Sequence, residues 1–396
     1  MSEWRDALLG DEIVLAYGKS LAAQARESGP FEVFGSNGCV GHHSTPLIKG
    51  PGIVVGRKGS VGEVVYSIGD FWPIDTTYYV VNKGGHDWRF LLHLLSSLGL
   101  EKLNSHSAVP GLNREDVYSI TVQLPPQSEQ TMIALALDAL QDRVNLETEA
   151  IRQSRDLKRA AMRALFSQGL RGEAQKETAI GLMPESWGLI PISGLGRIVT
   201  GTTPPTNDPT NYLDGDIPFI TPGDIEHSSQ IRTTEKLITK GGLVASRSIK
   251  EGTTCFVCIG STIGKVGYVT SQVCATNQQI NSIIPRGDFD PLFVFHLMTY
   301  WAEYVRKQAS PSPVPILSKG VFERIEIPTT LDASEQREIS AILDAIDRKI
   351  DLSRKKHALL EDLFNALLHK LMSGNIRVAD LDLSALEPRQ AEEVAA

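Results

Sequence analysis

The chain has 396 residues, 41% of them apolar and 22% charged, with a formal net charge of −8. This length suits two or three domains, and the balance is that of an ordinary globular protein rather than a fibrous or disordered one. The acidic excess argues against a protein that coats nucleic acid by bulk charge, although residues 328–396, with 9 basic and 13 acidic side chains, hold half of it.

The opening "MSEWRDALLGDE" lacks the basic and apolar segments of a secretory signal. No apolar run approaches the length of a membrane span. The expected compartment is the cytoplasm, with no membrane partner. Residues 1–125 read as a mixed domain. Short β-rich runs, "GIVVG", "EVVYSI" and "TTYYVV", alternate with glycine and polar turns. In "GRKGSVGEV" (56–64) the residues after the glycines are β-branched and aromatic, so a strand follows and not a helix. A phosphate loop needs the helix; Gly59 and Gly62 therefore read as hairpin turn glycines. A helix is expected over 87–100, with Leu92, Leu95 and Leu98 on its apolar face.

After Pro125-Pro126 the pattern changes. Ser128 reads as an N-cap and Glu129 as a first-turn acid. Apolar residues follow at Ile133, Leu137, Leu140, Val144 and Ile151, with no glycine or proline before Gly169. One helix of about 40 residues, ~60 Å long, is expected. A second begins near Ser334, with Ile339, Leu343, Ile346 and Ile350 and then Leu360, Phe364, Leu367 and Leu371 before Gly374. Heptad spacing of this length indicates a coiled-coil partner, with Leu343, Ile346 and Ile350 facing Leu137, Leu140 and Val144 or the helices of another subunit. Between the two helices, "IPFITPGDI", "TTCFVCIG" and "INSIIP" read as strands and 291–308 as a helix. The C-x-x-C at Cys255 and Cys258 has no second pair, so both read as buried strand residues and no metal is expected. His42-His43 reads as a solvated loop pair. The tail from 378 is acidic, has no aromatic residue and is expected to be poorly ordered.

The two halves repeat. "GEVVY" (62–66) aligns with "GKVGY" (264–268), and "VPGL" (109–112) with "VPIL" (314–317). "SEQTMIALALDAL" (128–140) aligns with "SEQREISAILDAI" (334–346), and "LFSQGLR" (165–171) with "LMSGNIR" (371–377). A duplicated unit of this size is the main organising fact of the sequence. The fold class that follows is α+β. Two similar mixed α/β domains are separated by two long antiparallel coiled-coil helices, in a pseudo-two-fold duplicated arrangement. The boundaries are 1–127 and 173–330 for the domains, 128–172 and 331–377 for the helices, and 378–396 for the tail.

No nucleophile elbow, metalloprotease helix, Rossmann fingerprint or adenine-methyltransferase motif occurs. Candidate contacts with DNA come instead from the polar loops. In the first half these are Ser36, Asn37, Arg57, Lys58 and Ser60; in the second, Thr202, Thr203, Ser261, Thr262, Lys265, Asn277 and Gln278. Such side chains read base edges and hold phosphates; they also make ordinary turns.

The order domain, long helix, domain, long helix resembles the specificity subunits of type I restriction–modification systems. The stretches "GSNG…VGRKGSVG", "TGTTPPTNDPTNYLDGDIPFITPGDI", "GSTIGKVGY" and "TNQQ", and the repeated "SEQ" helix starts, are similar to theirs over roughly residues 5–377. The resemblance implies a non-catalytic, cofactor-free subunit that reads double-stranded DNA, and closely matched helix starts with unmatched loops, "GSNGCVGHH" and "TGTTPPTN", predict an asymmetric bipartite target. It also implies methyltransferase (modification) subunits and restriction subunits as partners, and helices that space the domains. The competing readings are a coiled-coil scaffold that binds only proteins, and a DNA methyltransferase.

Overall fold

The computed structural model describes residues 4–103, 111–226 and 229–381. The chain divides into two compact units, 1–149 with 354–396, and 150–353. Each is a mixed domain completed by half of each long helix.

In the first unit an antiparallel sheet has the order Ile13–Tyr17, Thr77–Asn82, Gly52–Gly56, Val64–Ser67. Beside it lies a three-stranded sheet, Gly38–His43, Phe31–Gly35, Phe71–Pro73, whose last pair is parallel. Arg5–Leu8 pairs with Thr121–Leu124. The β-branched run Gly52–Gly56 is buried along its whole length, as a central strand with both faces covered should be. The second unit repeats the plan. Gly196–Thr200, Ile280–Pro285, Thr254–Val257 and Val266–Val269 take the same order, with Ser229–Ile231 added at the edge. Ile217–Ile220 pairs in parallel with Cys274–Thr276, and Gly188–Pro191 pairs with Glu326–Thr329. The duplication read from "GEVVY" and "SEQ" thus extends to the three sheets of the first unit, while the hairpin Gln175–Thr178 with Gly181–Pro184 belongs to the second alone.

The domain helices are Trp88–Ser97 and Pro291–Tyr300, capped by Asp87 and Asp290. The first buries Phe90, Leu91, Leu94 and Leu95, and Leu92 and Leu98 are partly buried against the same core. The helix expected over 291–308 is broken at Trp301, and Ala302–Arg306 continues separately.

The long helices run Gln127–Gln168 and Ala333–Met372. The first starts one residue before the expected cap. Gln130 N already donates to Pro126 O, which places Ser128 inside the first turn. Gly169 and Gly374 follow the two helices with φ of 64° and 67°, the left-handed conformation that glycine adopts without strain. In the first unit Glu147 pairs with Lys356 and Glu129 with Arg377. In the second, Lys158 pairs with Asp347 and Arg171 with Glu338. Within each unit one number rises as the other falls, so the helix segments are antiparallel. The seam differs from expectation. Ile133 and Leu137 belong to the core of the first unit, and Ile339 and Leu343 to the core of the second. Each core is shared by the mixed domain and the opposite helix, which contributes Leu371 and Met372 to the first and Met162, Leu165 and Phe166 to the second.

The repeated Ser-Glu-Gln has a clear structural reason. Glu129 accepts the indole N–H of Trp4 at 2.9 Å, and Glu335 accepts that of Trp187 at 3.1 Å. Gln130 accepts from Asp87 N and donates to Pro125 O. Gln336 likewise accepts from Asp290 N and donates to Thr330 O. Each glutamine ties the start of a long helix to the cap of its domain helix. The chain beyond the second helix returns to the first unit: Arg377 lies over the Trp4 ring and Val378 is buried. The expected tail therefore begins packed, and residues 382–396 lie outside the described residues.

Cys255 and Cys258 are buried as expected, and burial pushes both thiols up to about 12. The histidine pair is not a loop. His42 and His43 end the strand Gly38–His43, and His43 is buried with its Nδ1 accepting from Glu27 N.

Candidate nucleic-acid interface

In each unit the candidate residues gather at one end of the main sheet. Strand register forces this. In the first unit Tyr17 opposes Tyr78, Gly56 opposes Thr77 and Val55 opposes Val64. The loops after Tyr17 and Gly56, and those before Thr77 and Val64, therefore leave from the same edge. In the second unit Thr200 opposes Asn281, Val257 opposes Ile280 and Phe256 opposes Val266, with the same result.

The first end is cationic and aromatic. Arg57 N and Lys58 N both donate to Thr76 O, at 3.0 and 3.1 Å. These bonds hold the 57–63 loop against the neighbouring turn. The Arg57 guanidinium lies 5.1 Å from the Tyr17 ring centroid and 6.0 Å from that of Tyr78, and Arg114 lies 5.3 Å from Tyr17. A guanidinium over an aromatic face is held by the ring quadrupole while its N–H groups stay available. Neither Arg57 nor Lys58 forms an ion pair with a described residue. Burial pushes the Tyr78 hydroxyl up to about 12, aided by Tyr17 and opposed by Arg57 and Arg114. Gly59 has φ of 81° and Gly62 of 80°. A Cβ at Gly59 would stand 3.2 Å from Ser36 Oγ, and one at Gly56 2.0 Å from Ser60 O. The Ser36-Asn37 turn and the Arg57–Ser60 loop are thus neighbours, and Asn37 and Lys58 are exposed.

The second end is rich in amide and hydroxyl side chains. Thr202 N donates to Thr276 O, and Thr203 Oγ1 donates to Gln278 Oε1 at 2.6 Å. These bonds bring 202–203 and 277–278 together. Asn277 is turned into its own loop: its Nδ2 donates to Gln279 Oε1 and its Oδ1 accepts from Gln279 N. Ser261 and Thr262 occupy the turn after Gly260, whose φ is 94°. Lys265 Nζ reaches Pro222 O at 3.3 Å. A Cβ at Gly260 would stand 3.8 Å from Gln279 Nε2, which joins this hairpin to the amide loop.

The two ends share a backbone frame. Gly18 N donates to Thr77 O and Gly201 N to Ile280 O; Lys19 N donates to Pro73 O as Thr202 N does to Thr276 O. A Cβ at Gly18 would lie 2.1 Å from Ile74 O, and one at Gly201 2.1 Å from Asn277 O. Leu112 N donates to Arg57 O as Leu317 N does to Cys258 O. This pairing accounts for the Leu of the repeated "VPGL" and "VPIL"; Val109 and Pro110 lie outside the described residues.

Sequence reasoning missed Tyr17, Arg114 and Arg247. Arg247 Nη1 donates to Thr200 O at 3.0 Å, beside the Thr202 loop. The available signal was positional: Tyr17 and Thr200 each stand just before the frame glycine.

The family described as the type I restriction modification DNA specificity domain matches residues 1–154 and 184–362, one copy for each half. The chain is similar to a putative type I restriction enzyme MjaX specificity subunit of Methanocaldococcus jannaschii, 23% identical over 75% of this chain and 70% of that one. It is also similar to the MjaIX specificity subunit of the same organism, 29% identical over 50% of this chain and 47% of that one. Its fold is similar to the crystal structure of a type I restriction–modification S subunit from M. genitalium. That likeness has a TM-score of 0.68 at 16% identity and covers 93% of this chain and 96% of that one. The chain therefore belongs to the type I restriction modification DNA specificity family, as a non-catalytic specificity subunit.

Proposed function

We propose that the two loop ends read the two halves of an asymmetric, bipartite double-stranded DNA target, and that the chain directs methyltransferase and restriction subunits to it. The observation that carries this is one backbone frame bearing two different sets of tips. Tyr17, Ser36, Asn37, Arg57, Lys58, Ser60 and Arg114 fill one end. Thr202, Thr203, Ser261, Thr262, Lys265, Gln278 and Arg247 fill the other, with Asn277 shaping its loop. Identical frames dock alike; different donors and acceptors select different bases. Arg57 and Arg114, steadied on Tyr17, suit phosphate or guanine, while the amide and hydroxyl groups of the second end suit base edges.

Partner docking has support on the long helices. Leu146 and Leu157 are 59% and 53% exposed, and Leu352 and Leu363 are 68% and 45% exposed. The pairs are equivalent by the repeat, since 352 − 146 and 363 − 157 both equal 206. Exposed apolar positions that each occur twice suit two copies of one partner.

The test is Arg57→Ala with Lys58→Ala in the complex assembled with its methyltransferase. Duplex affinity is expected to fall by about 1–3 kcal/mol for each base that is no longer read. Without the Lys58 ammonium on a phosphate, the salt slope should drop by about one. Assembly should persist, and mapped methylation should loosen in one half-site only. Failure to assemble, or unchanged affinity, would overturn the assignment, and a palindromic methylated site would overturn the asymmetric target.

A further inference from the structure

The hairpin Phe31–Gly35 and Gly38–His43 carries a second constellation. Glu32 stands opposite His42 on the ladder. Cys39 is three residues from His42, and in a regular strand that spacing points side chains to opposite faces. The strand is not regular. Val33 opposes Gly41 while Phe34 opposes Cys39, so Val40 is the extra residue of a bulge. One added residue turns Cys39 back to the face of His42. Gly41 has φ of 145°, and Arg26 Nη1 donates to Val40 O at 2.5 Å, which secures the bulge. As a result a Glu32 carboxylate oxygen, Cys39 Sγ and a His42 ring nitrogen all lie within 4.8 Å of one another. Cys39 is the only exposed cysteine; Cys255, Cys258 and Cys274 are buried. His43, next in the chain, has its Nδ1 occupied and its ring against Trp72.

We propose that Glu32, Cys39 and His42 form a zinc-binding site on this hairpin. A thiolate with an imidazole and a carboxylate is a donor set for zinc, and the soft sulfur disfavours magnesium and calcium. Three protein ligands leave the fourth tetrahedral position to water. Binding takes the proton from the Cys39 thiol, so affinity rises with pH. The ion would cross-link two strands just below the Ser36-Asn37 turn and stiffen it. The site stands on the hairpin alone and is independent of the DNA-reading proposal.

The test uses the full chain, reduced and freed of metal, with cobalt(II) as the spectroscopic probe and zinc as competitor. One cobalt per chain is expected, with a thiolate-to-metal absorption band that zinc abolishes. Cys39→Ser should remove the band. His42→Ala and Glu32→Gln should each weaken zinc binding at least tenfold. All three lie at the surface, so their metal-free melting temperatures should match that of the parent. Zinc should also slow amide exchange across residues 31–43. No thiolate band at stoichiometric cobalt, or a band that survives Cys39→Ser, would overturn the site. So would zinc affinity unchanged in both His42→Ala and Glu32→Gln.

Discussion

Replacing Gln336 with Met tests whether the repeated Ser-Glu-Gln is a structural latch. Met has nearly the length and volume of Gln, so it changes polarity and little else. Gln336 is fully buried. Its Oε1 accepts from Asp290 N at 2.9 Å and its Nε2 donates to Thr330 O at 3.0 Å. Met satisfies neither group. Each orphaned buried backbone group costs about 1–3 kcal/mol, so the second unit should lose about 2–6 kcal/mol, a large share of an ordinary domain's stability. The loss should be local. Amide exchange read by mass spectrometry should quicken in peptides spanning 288–300 and stay unchanged in those spanning 86–97. Gln130→Met, which strips Asp87 N and Pro125 O in the same way, should give the mirror pattern. The double variant should be additive because the sites share no partner. A loss below about 0.5 kcal/mol would refute the latch, as would equal exchange in both regions.

Three further outcomes follow from the packing. His296 is buried with neither ring nitrogen bonded, and burial, aided by the Lys158 charge, pushes it down to about 3. Its folded-state value is lowered, so stability is present above about pH 6.5 and lost as pH falls from there towards 3; at pH 5 the loss is ~2 kcal/mol. His296→Leu should flatten denaturant midpoints over this range, and an unchanged slope would refute the account. Gly201→Ala places a Cβ 2.1 Å from Asn277 O and 2.2 Å from Thr276 Oγ1. It should cost about 1–3 kcal/mol and impair methylation of target DNA while partners still bind, as a pull-down would show. Leu146→Glu with Leu352→Glu should leave melting within about 0.5 kcal/mol and lower methyltransferase binding at least tenfold. Undiminished assembly by analytical ultracentrifugation would rule out docking at these leucines.

Much of the architecture was legible because it is written locally or twice. "GEVVY" against "GKVGY" and the paired "SEQ" starts exposed the duplication, and the uninterrupted heptads placed the starts of both long helices within a residue or two, while the bounds set at 172 and 377 overran their ends at Gln168 and Met372. What escaped depends on contacts far apart in sequence. Periodicity marked Ile133 and Leu343 as apolar but could not say what they face, and they enter cores built by their mixed domains together with the opposite helix. The Trp4–Glu129 and Trp187–Glu335 bonds join residues 125 and 148 positions apart. The bulge at Val40 shifts a register by one, which no strand propensity reports. At the interface the loops were readable by composition. Their neighbours Tyr17, Arg114 and Arg247 were not, because contacts distant in sequence bring them there: Tyr17 opposite Tyr78, Leu112 N on Arg57 O, and Arg247 on Thr200 O.

The first unit is assembled from both ends of its chain, and this bears on how it is made. Its core includes Leu371, Met372 and Val378, with Phe364 and Leu367 packed against it, whereas the second unit is contiguous over 150–353. At 5–20 residues per second, a ribosome that has finished Glu149 needs roughly 10–50 s more to reach Leu381. Throughout that interval the first domain presents an apolar face that its own chain has not yet covered. The later-synthesised unit can therefore fold to completion ahead of the earlier one. A nascent chain stalled before residue 354 would hold a finished second half and an unfinished first, an intermediate whose uncovered apolar face invites aggregation.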